Sequence, residues 1–270
     1  SVDQQKIFKP QKNRKIILAT NIAETSLTIP GIRYVVETGL ARISRYSNNS
    51  QVQKLQTEWI SKANVKQRRG RCGRVEEGIC YHLYTKIIYD QMSEFAEPEI
   101  RRTSLAGVIL QMKKLKLKDL GEFPLIDQPN KKMIQAAYQI LYALGALNTE
   151  REITAIGEKI LQYPLDPHLA RMIIEASQKD CMHEILILVA VLSAQDPRER
   201  PANASIELLN MQKKWDHDKS DFMTFLNLWK TLTDEKDSRS NSQFKKFLKD
   251  HLISYRKFDE WKSIYLELKT

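Results

Sequence analysis

An α/β segment followed by a mainly α-helical one is the fold class this sequence predicts, and three observations carry it. Short apolar runs bounded by turn residues fill the first third. The apolar period changes from two to that of a helix near Phe95, and a second helical series runs on from Pro164. The 270 residues are 42% hydrophobic and 28% charged, the balance of a globular chain rather than a disordered one. Such a length suits about two domains.

Each element follows from its residues. Lys15–Ala19 and Ile32–Val36 are short apolar runs that end in turn residues, and they read as buried, parallel strands. Between them Ala23–Leu27 reads as a helical turn. Ala41–Tyr46 and Gln51–Trp59 alternate around Ser47-Asn-Asn-Ser50 and predict a hairpin; Ile79–Tyr84 is one more strand. Leu105, Val108, Ile109, Met112 and Leu115 form one helical stripe, capped by Thr103 or Ser104. Ile134 to Leu144 repeats it and stops at Gly145. With the strand-like 146–147 and 152–156 segments, these two helices predict a small winged helix. Pro164 to Pro167 then opens a helical series: Leu169 to Ala176, an all-round apolar Glu184–Leu192, Ala204–Trp215 and Ser220–Leu232. Beyond a polar break at Thr233–Ser242, Phe244, Phe247, Phe258, Trp261 and Tyr265 fall at helical spacing, which marks a core rather than a base-stacking platform.

Charge is distributed unevenly. Net charge is +10, and residues 1–94 hold 16 Lys and Arg against 8 Asp and Glu, which points to an anionic partner, a phosphate ligand or a nucleic acid. The longest apolar stretch, Ile185–Leu192, is far short of a membrane span, so no membrane partner is expected. Three unpatterned cysteines and no secretory leader point to a reducing cytoplasm. A first residue of Ser, with apolar patterning close behind it, reads as a piece of a longer polypeptide.

Two segments carry chemistry. Gln67-Arg-Arg-Gly-Arg-Cys-Gly-Arg74 lies in a stretch, Trp59–Val75, with six cations and no acid. On one helical turn Arg71 and Arg74 would project to the same side. Gly70 and Gly73 would leave backbone bare for a phosphate to approach, the forked guanidinium donors would offset charge on a transferring phosphoryl group, and Gln67 could orient a water. Thr20-Asn-Ile-Ala-Glu-Thr-Ser26 follows a predicted strand, where α/β sheets place ligand loops; its hydroxyls and amide suit a sugar-phosphate backbone, although N-capping explains Thr20 or Asn21 equally well. Neither the histidines nor the cysteines have metal-ligand spacing.

Together these segments resemble motifs V and VI of the DEAH-box RNA helicases of superfamily 2. The likeness continues through Pro98–Leu105, Ile156-Gly157, Tyr163–Pro167 and Gln195–Pro201, most like the bacterial HrpA-type branch. It implies the later part of a second RecA-like domain with a partial parallel sheet over residues 1–94, a winged helix over 95–156, and a helical bundle, the ratchet domain, over 157–270. It also implies site roles: Gln67, Arg71 and Arg74 face the ATP γ-phosphate, with Gly70, Gly73 and Ser26 near the nucleotide. Thr20, Asn21 and Thr25 lie near RNA, as does Arg45 on a duplex-parting hairpin. Pro30 stands where many eukaryotic relatives have Asp, which removes a side chain that could meet the ribose.

A phosphate-cradling Gly-x4-Gly-Lys-[Ser/Thr] loop is missing from the sequence, and the acidic Asp234-Glu-Lys-Asp237 reads as a solvated loop. The expectation is therefore a helicase portion, inactive alone, whose ATP and Mg²⁺ are bound mainly by the remainder of the helicase chain and whose RNA is single-stranded and read without sequence preference. A non-catalytic RNA-binding or adaptor module is the alternative. A winged-helix DNA binder using Lys113, Lys114, Lys116 and Lys118 is a third.

Overall fold

The computed structural model describes residues 6–9, 13–47, 52–74, 76–201 and 210–269. The chain divides into two compact units, one of residues 1–105 and 120–137, the other of 106–119 and 138–270.

In the first unit, β1 (Tyr34–Glu37) pairs in parallel with β4 (Ile79–His82), in register from Tyr34 opposite Ile79 to Glu37 opposite His82. β2 (Leu40–Ser47) and β3 (Val52–Trp59) form the antiparallel hairpin over eight paired positions. A helical turn, α1 (Ile22–Thr25), precedes β1. Helix α2 (Lys62–Arg69) starts with a capping box: Ser61 Oγ accepts from the Asn64 amide and the Asn64 side chain from the Ser61 amide. The short α3 (Lys86–Gln91) is capped by Thr85. A small core of Ile60, Val65 and Met92, with Tyr84, Ile88 and Tyr89 against it, joins these elements. Trp59 meets Tyr84 edge to face at 6.1 Å. Gly39, at φ +75°, lies against both rings, and a Cβ there would come within 2.7 Å of Trp59.

Two strand expectations need correction. Lys15–Ala19 is not a strand: Ile16 and Leu18 are 81% and 96% exposed, because no described strand offers a ladder to this run. Nor is the sheet buried on both faces. Tyr34 and Val36 of β1 and their register partners Ile79 and Tyr81 of β4 share one face and are all exposed.

In the second unit, α4 (Ala106–Lys114) buries Ala106, Ile109 and Leu110, while Val108 and Leu115 of the expected stripe are exposed. Lys113 pairs with Asp119 at 2.8 Å and Lys114 with Glu158, so these two cations of the DNA-binding alternative are already engaged. Helix α5 (Lys131–Ala143), which belongs to this unit from Tyr138 onward, ends at Gly145 in a Schellman motif: the Gly145 amide bonds the Tyr142 carbonyl and the Ala146 amide the Leu141 carbonyl. The expected wing reduces to one antiparallel bridge, Leu147 to Ile153. Ile156 falls instead in α6 (Ala155–Ile160), whose cap Thr154 accepts from the Gly157 amide. Gly157 is required by proximity: a Cβ there would lie 2.2 Å from the Ala146 carbonyl oxygen.

The bundle surrounds α8 (Met182–Ser193), whose residues 186–191 are all buried, as the all-round apolar pattern predicts. Around it stand α7 (Pro167–Ala176), capped by Asp166, α9 (Asp221–Ser238), α10 (Asn241–Asp250) and α11 (Tyr255–Lys269). The aromatic series is core: Phe244, Phe258 and Trp261 are inaccessible or nearly so, and Trp261 Nε1 donates to the Ile187 carbonyl at 2.9 Å. Helix α9 runs six residues past the expected end at Leu232, so Asp234–Asp237 lies in its last turns and not in a loop. The first half of the expected 204–215 helix falls outside the described residues; residues 210–212 are helical and Trp215 closes a 3₁₀ turn and is buried. Residues 197–199 pair with 252–254, the Ser254 amide to the Pro197 carbonyl and the Glu199 amide to that of Leu252. The prolines on either side thus bound a short built connection.

Candidate nucleotide and nucleic-acid interface

All the expected site residues except Arg45 come together around α1 and the end of α2. Helix α2 stops at Arg69, Gly70 is its C-cap, and Gly73 adopts φ +75°. The two glycines therefore serve the helix end and a left-handed turn. Arg71 and Arg74 do not sit on a helical turn. They reach the same side by another route, since both bond to the 24–28 segment. Arg71 donates to the Glu24 carbonyl and, at 3.2 Å, to that of Leu27. Arg74 Nη1 donates to Thr28 Oγ1 at 3.1 Å. Nε of Arg71 is buried with no hydrogen-bond partner. Gln67 is exposed one turn earlier.

Thr20, Asn21, Thr25 and Ser26 are all exposed. Asn21 makes no side-chain cap, so capping does not account for its amide. This leaves a row of hydroxyls and an amide on the outer side of α1, beside the three groups expected to meet phosphate. Arg45 lies elsewhere and differently: its guanidinium pairs with Glu58, at 2.8 Å through Nη2, and with Glu97 at 2.5 Å. Those carboxylates hold Arg45 firmly charged, above the usual arginine range, but they also neutralise it. Tyr46 N and Arg102 O bond at 2.8 Å, and Arg102 returns a bond to the Ser44 carbonyl. Arg45 is thus part of a clasp between β2 and residues 97–102, not a free cation.

Two acids to which no sequence motif assigns a role organise this site. Glu24, 7% exposed, points inward from α1; its two oxygens accept from Asn64 and, at 3.0 Å, from Arg68. Arg68 Nη1 also reaches Glu37 at 2.9 Å, and Glu37, 2% exposed, takes the Gly39 amide at 2.6 Å. With so few acids among so many cations, a partner for each of them was the signal available. As a donor set the site suits an anion. Gln67, Arg71 and Arg74 offer an amide and two cations to a polyphosphate, whereas both oxygens of Glu24 are taken, so these residues do not form a divalent-cation site.

Comparison with known proteins agrees with the fold. Residues 2–76 match the helicase conserved C-terminal domain, 137–165 the winged-helix part of the helicase-associated HA2 domain, and 166–225 its ratchet-like part. The chain is therefore a C-terminal helicase portion: a RecA-like part with a parallel sheet pair, a winged helix and a helical HA2 region. It is 43% identical over 99% of its length to the ATP-dependent RNA helicase HrpA of Escherichia coli (strain K12), and 44% over 99% to the HrpA homolog of Haemophilus influenzae. To human ATP-dependent RNA helicase DHX33 it is 37% identical over 84% of the chain. It belongs with the DEAH-box helicases of HrpA type, and spans about a fifth, 21%, of the length of the two bacterial relatives.

Proposed function

We propose that this chain works as part of an ATP-dependent RNA helicase, in which Arg71 and Arg74 are arginine fingers, Gln67 positions the attacking water, and Thr20, Asn21 and Thr25 line the RNA channel. Gly70 and Gly73 shape the turn that carries the fingers, and Ser26 lies between the two ligands. The observation that supports this reading most is that both arginines bond to residues 24–28, the segment that also holds Thr25 and Ser26 of the exposed polar row. A γ-phosphate would replace the carbonyls of Glu24 and Leu27 as acceptors for Arg71, and so bind charge as it develops there. The remainder of the helicase chain would hold Mg²⁺ and most of the triphosphate. RNA is taken as a single strand through its backbone, without sequence preference. Phosphate contact is assigned to the 20–25 row, since the charge of Arg45 is already matched. The division at residues 94 and 156, and a cytoplasmic location, are part of the same proposal; no helix among the described residues is long and apolar enough to cross a membrane.

In the full-length protein, Arg71→Ala or Arg74→Ala should lower kcat for ATP by about 10³-fold, with a smaller effect on nucleotide binding. Near-normal turnover in either variant would overturn the finger assignment. The chain by itself should hydrolyse no ATP above a Gly73→Ala, Arg74→Ala control.

A further inference from the structure

Both oxygens of Glu24 are committed to α2, one to Asn64 and the other to Arg68, and its carbonyl accepts from Arg71. The same residue lies between the exposed Asn21 on one side and Thr25 and Ser26 on the other. Arg68 is held at its other end by Glu37 and the Leu40 carbonyl, where β1 closes against β4. The Asn64 amide is free to reach Glu24 because its oxygen is used in the α2 capping box. One buried carboxylate thus fixes the polar row to the helix that carries Gln67 and leads to the arginines, and no described side chain other than Asn64 and Arg68 takes its oxygens.

We infer that Glu24, clamped by Arg68 and Asn64, is a positioning residue that couples RNA contact at residues 20–26 to the placement of Arg71. The inference rests on the function proposed above. If RNA shifts α1, the Glu24 carbonyl moves with it, and Arg71 is released from or returned to that carbonyl. A carboxylate bonded to a guanidinium in a buried setting has a short, directional hold, so the displacement passes to α2 instead of being absorbed by a loose side chain.

The chemistry selects the variants. Arg68 faces two buried carboxylates, so Glu24→Gln leaves it paired with Glu37 and leaves no bare charge, whereas removing Arg68 would strand two anions. In the full-length protein, Glu24→Gln should keep basal ATP turnover within about twofold and reduce its stimulation by single-stranded RNA by about 5-fold or more, the scale of an ordinary coupling between sites. Arg68→Lys keeps the cation but cannot reach both acids, and should lose stimulation likewise; the double variant should lose little more than either single one. A readout independent of turnover is hydrogen exchange of the peptide over residues 20–28 when a non-hydrolysable ATP analogue is added: the wild-type response should be lost in both variants. Stimulation within twofold of wild type, or equal losses of basal and stimulated turnover with an intact exchange response, would overturn the inference. A wild-type protein with no RNA-stimulated turnover would instead overturn the function it rests on.

Discussion

Gly157 shows how much a single residue type can decide. Its missing side chain lets α6 approach the Ala146 carbonyl, so Gly157→Ala forces one backbone away from another; we expect a loss of about 1–3 kcal/mol, read as a lower thermal midpoint. The sequence signalled Gly157 only as part of a resemblance, because nothing in its neighbours announces a backbone contact eleven residues away. That Gln67, Arg71 and Arg74 belong to one cationic cluster was legible, since they fall within a single short run without acids. How the arginines are aimed was not legible. It depends on carbonyls of residues 24 and 27, and a carbonyl has no residue-type signature. Glu24 and Arg68 were hidden for a related reason: a buried ion pair is visible only when the topology brings α1 against α2.

Elements were read best where burial alone decides them. Helix α8 is apolar all round and central, and the hairpin alternates as it should. The 15–19 run failed because an apolar run specifies a strand only when another strand offers it a ladder. The end of α9 was misplaced because Asp, Glu and Lys are acceptable helix residues and Leu232 continues to pack on the core. The hairpin carries an expectation about pH. Bonding to Arg45 holds the Glu58 carboxyl below its ordinary value of 4.5, so its folded pKa lies under the unfolded one. The stability it contributes is therefore present above that ordinary value and is lost as pH falls through the depressed one. Amide exchange across β2 and β3 should be slower in the wild type than in Arg45→Gln at neutral pH, and the difference should shrink as acidification protonates Glu58 below its ordinary value and vanish once the carboxyl is fully protonated; a difference that persisted with Glu58 protonated would show that the ion pair is not its source.

At the scale of the whole chain, the sheet face of Tyr34, Val36, Ile79 and Tyr81 is an open apolar surface among the described residues. Parallel sheets are ordinarily covered on both sides, and an apolar patch left open attracts partners. The isolated chain should therefore enhance the fluorescence of an apolar dye and associate as its concentration rises. Val36→Thr with Ile79→Thr keeps β-branched strand formers and should lower both signals; unchanged dye binding would place the sticky surface elsewhere. The order of the segments, sheet first and helices after, was readable from the change of period. The open face was not, because apolar residues in a strand give no indication of how many neighbours the strand will find.

The clasp on β2 has a mechanical meaning. A hairpin bonded at three successive residues near its turn, through Tyr46 to Arg102, Ser44 to Arg102 and Arg45 to Glu97, is a beam held close to its tip as well as at its root. Load applied at the turn is therefore carried into residues 97–102 as well as to the root of the hairpin.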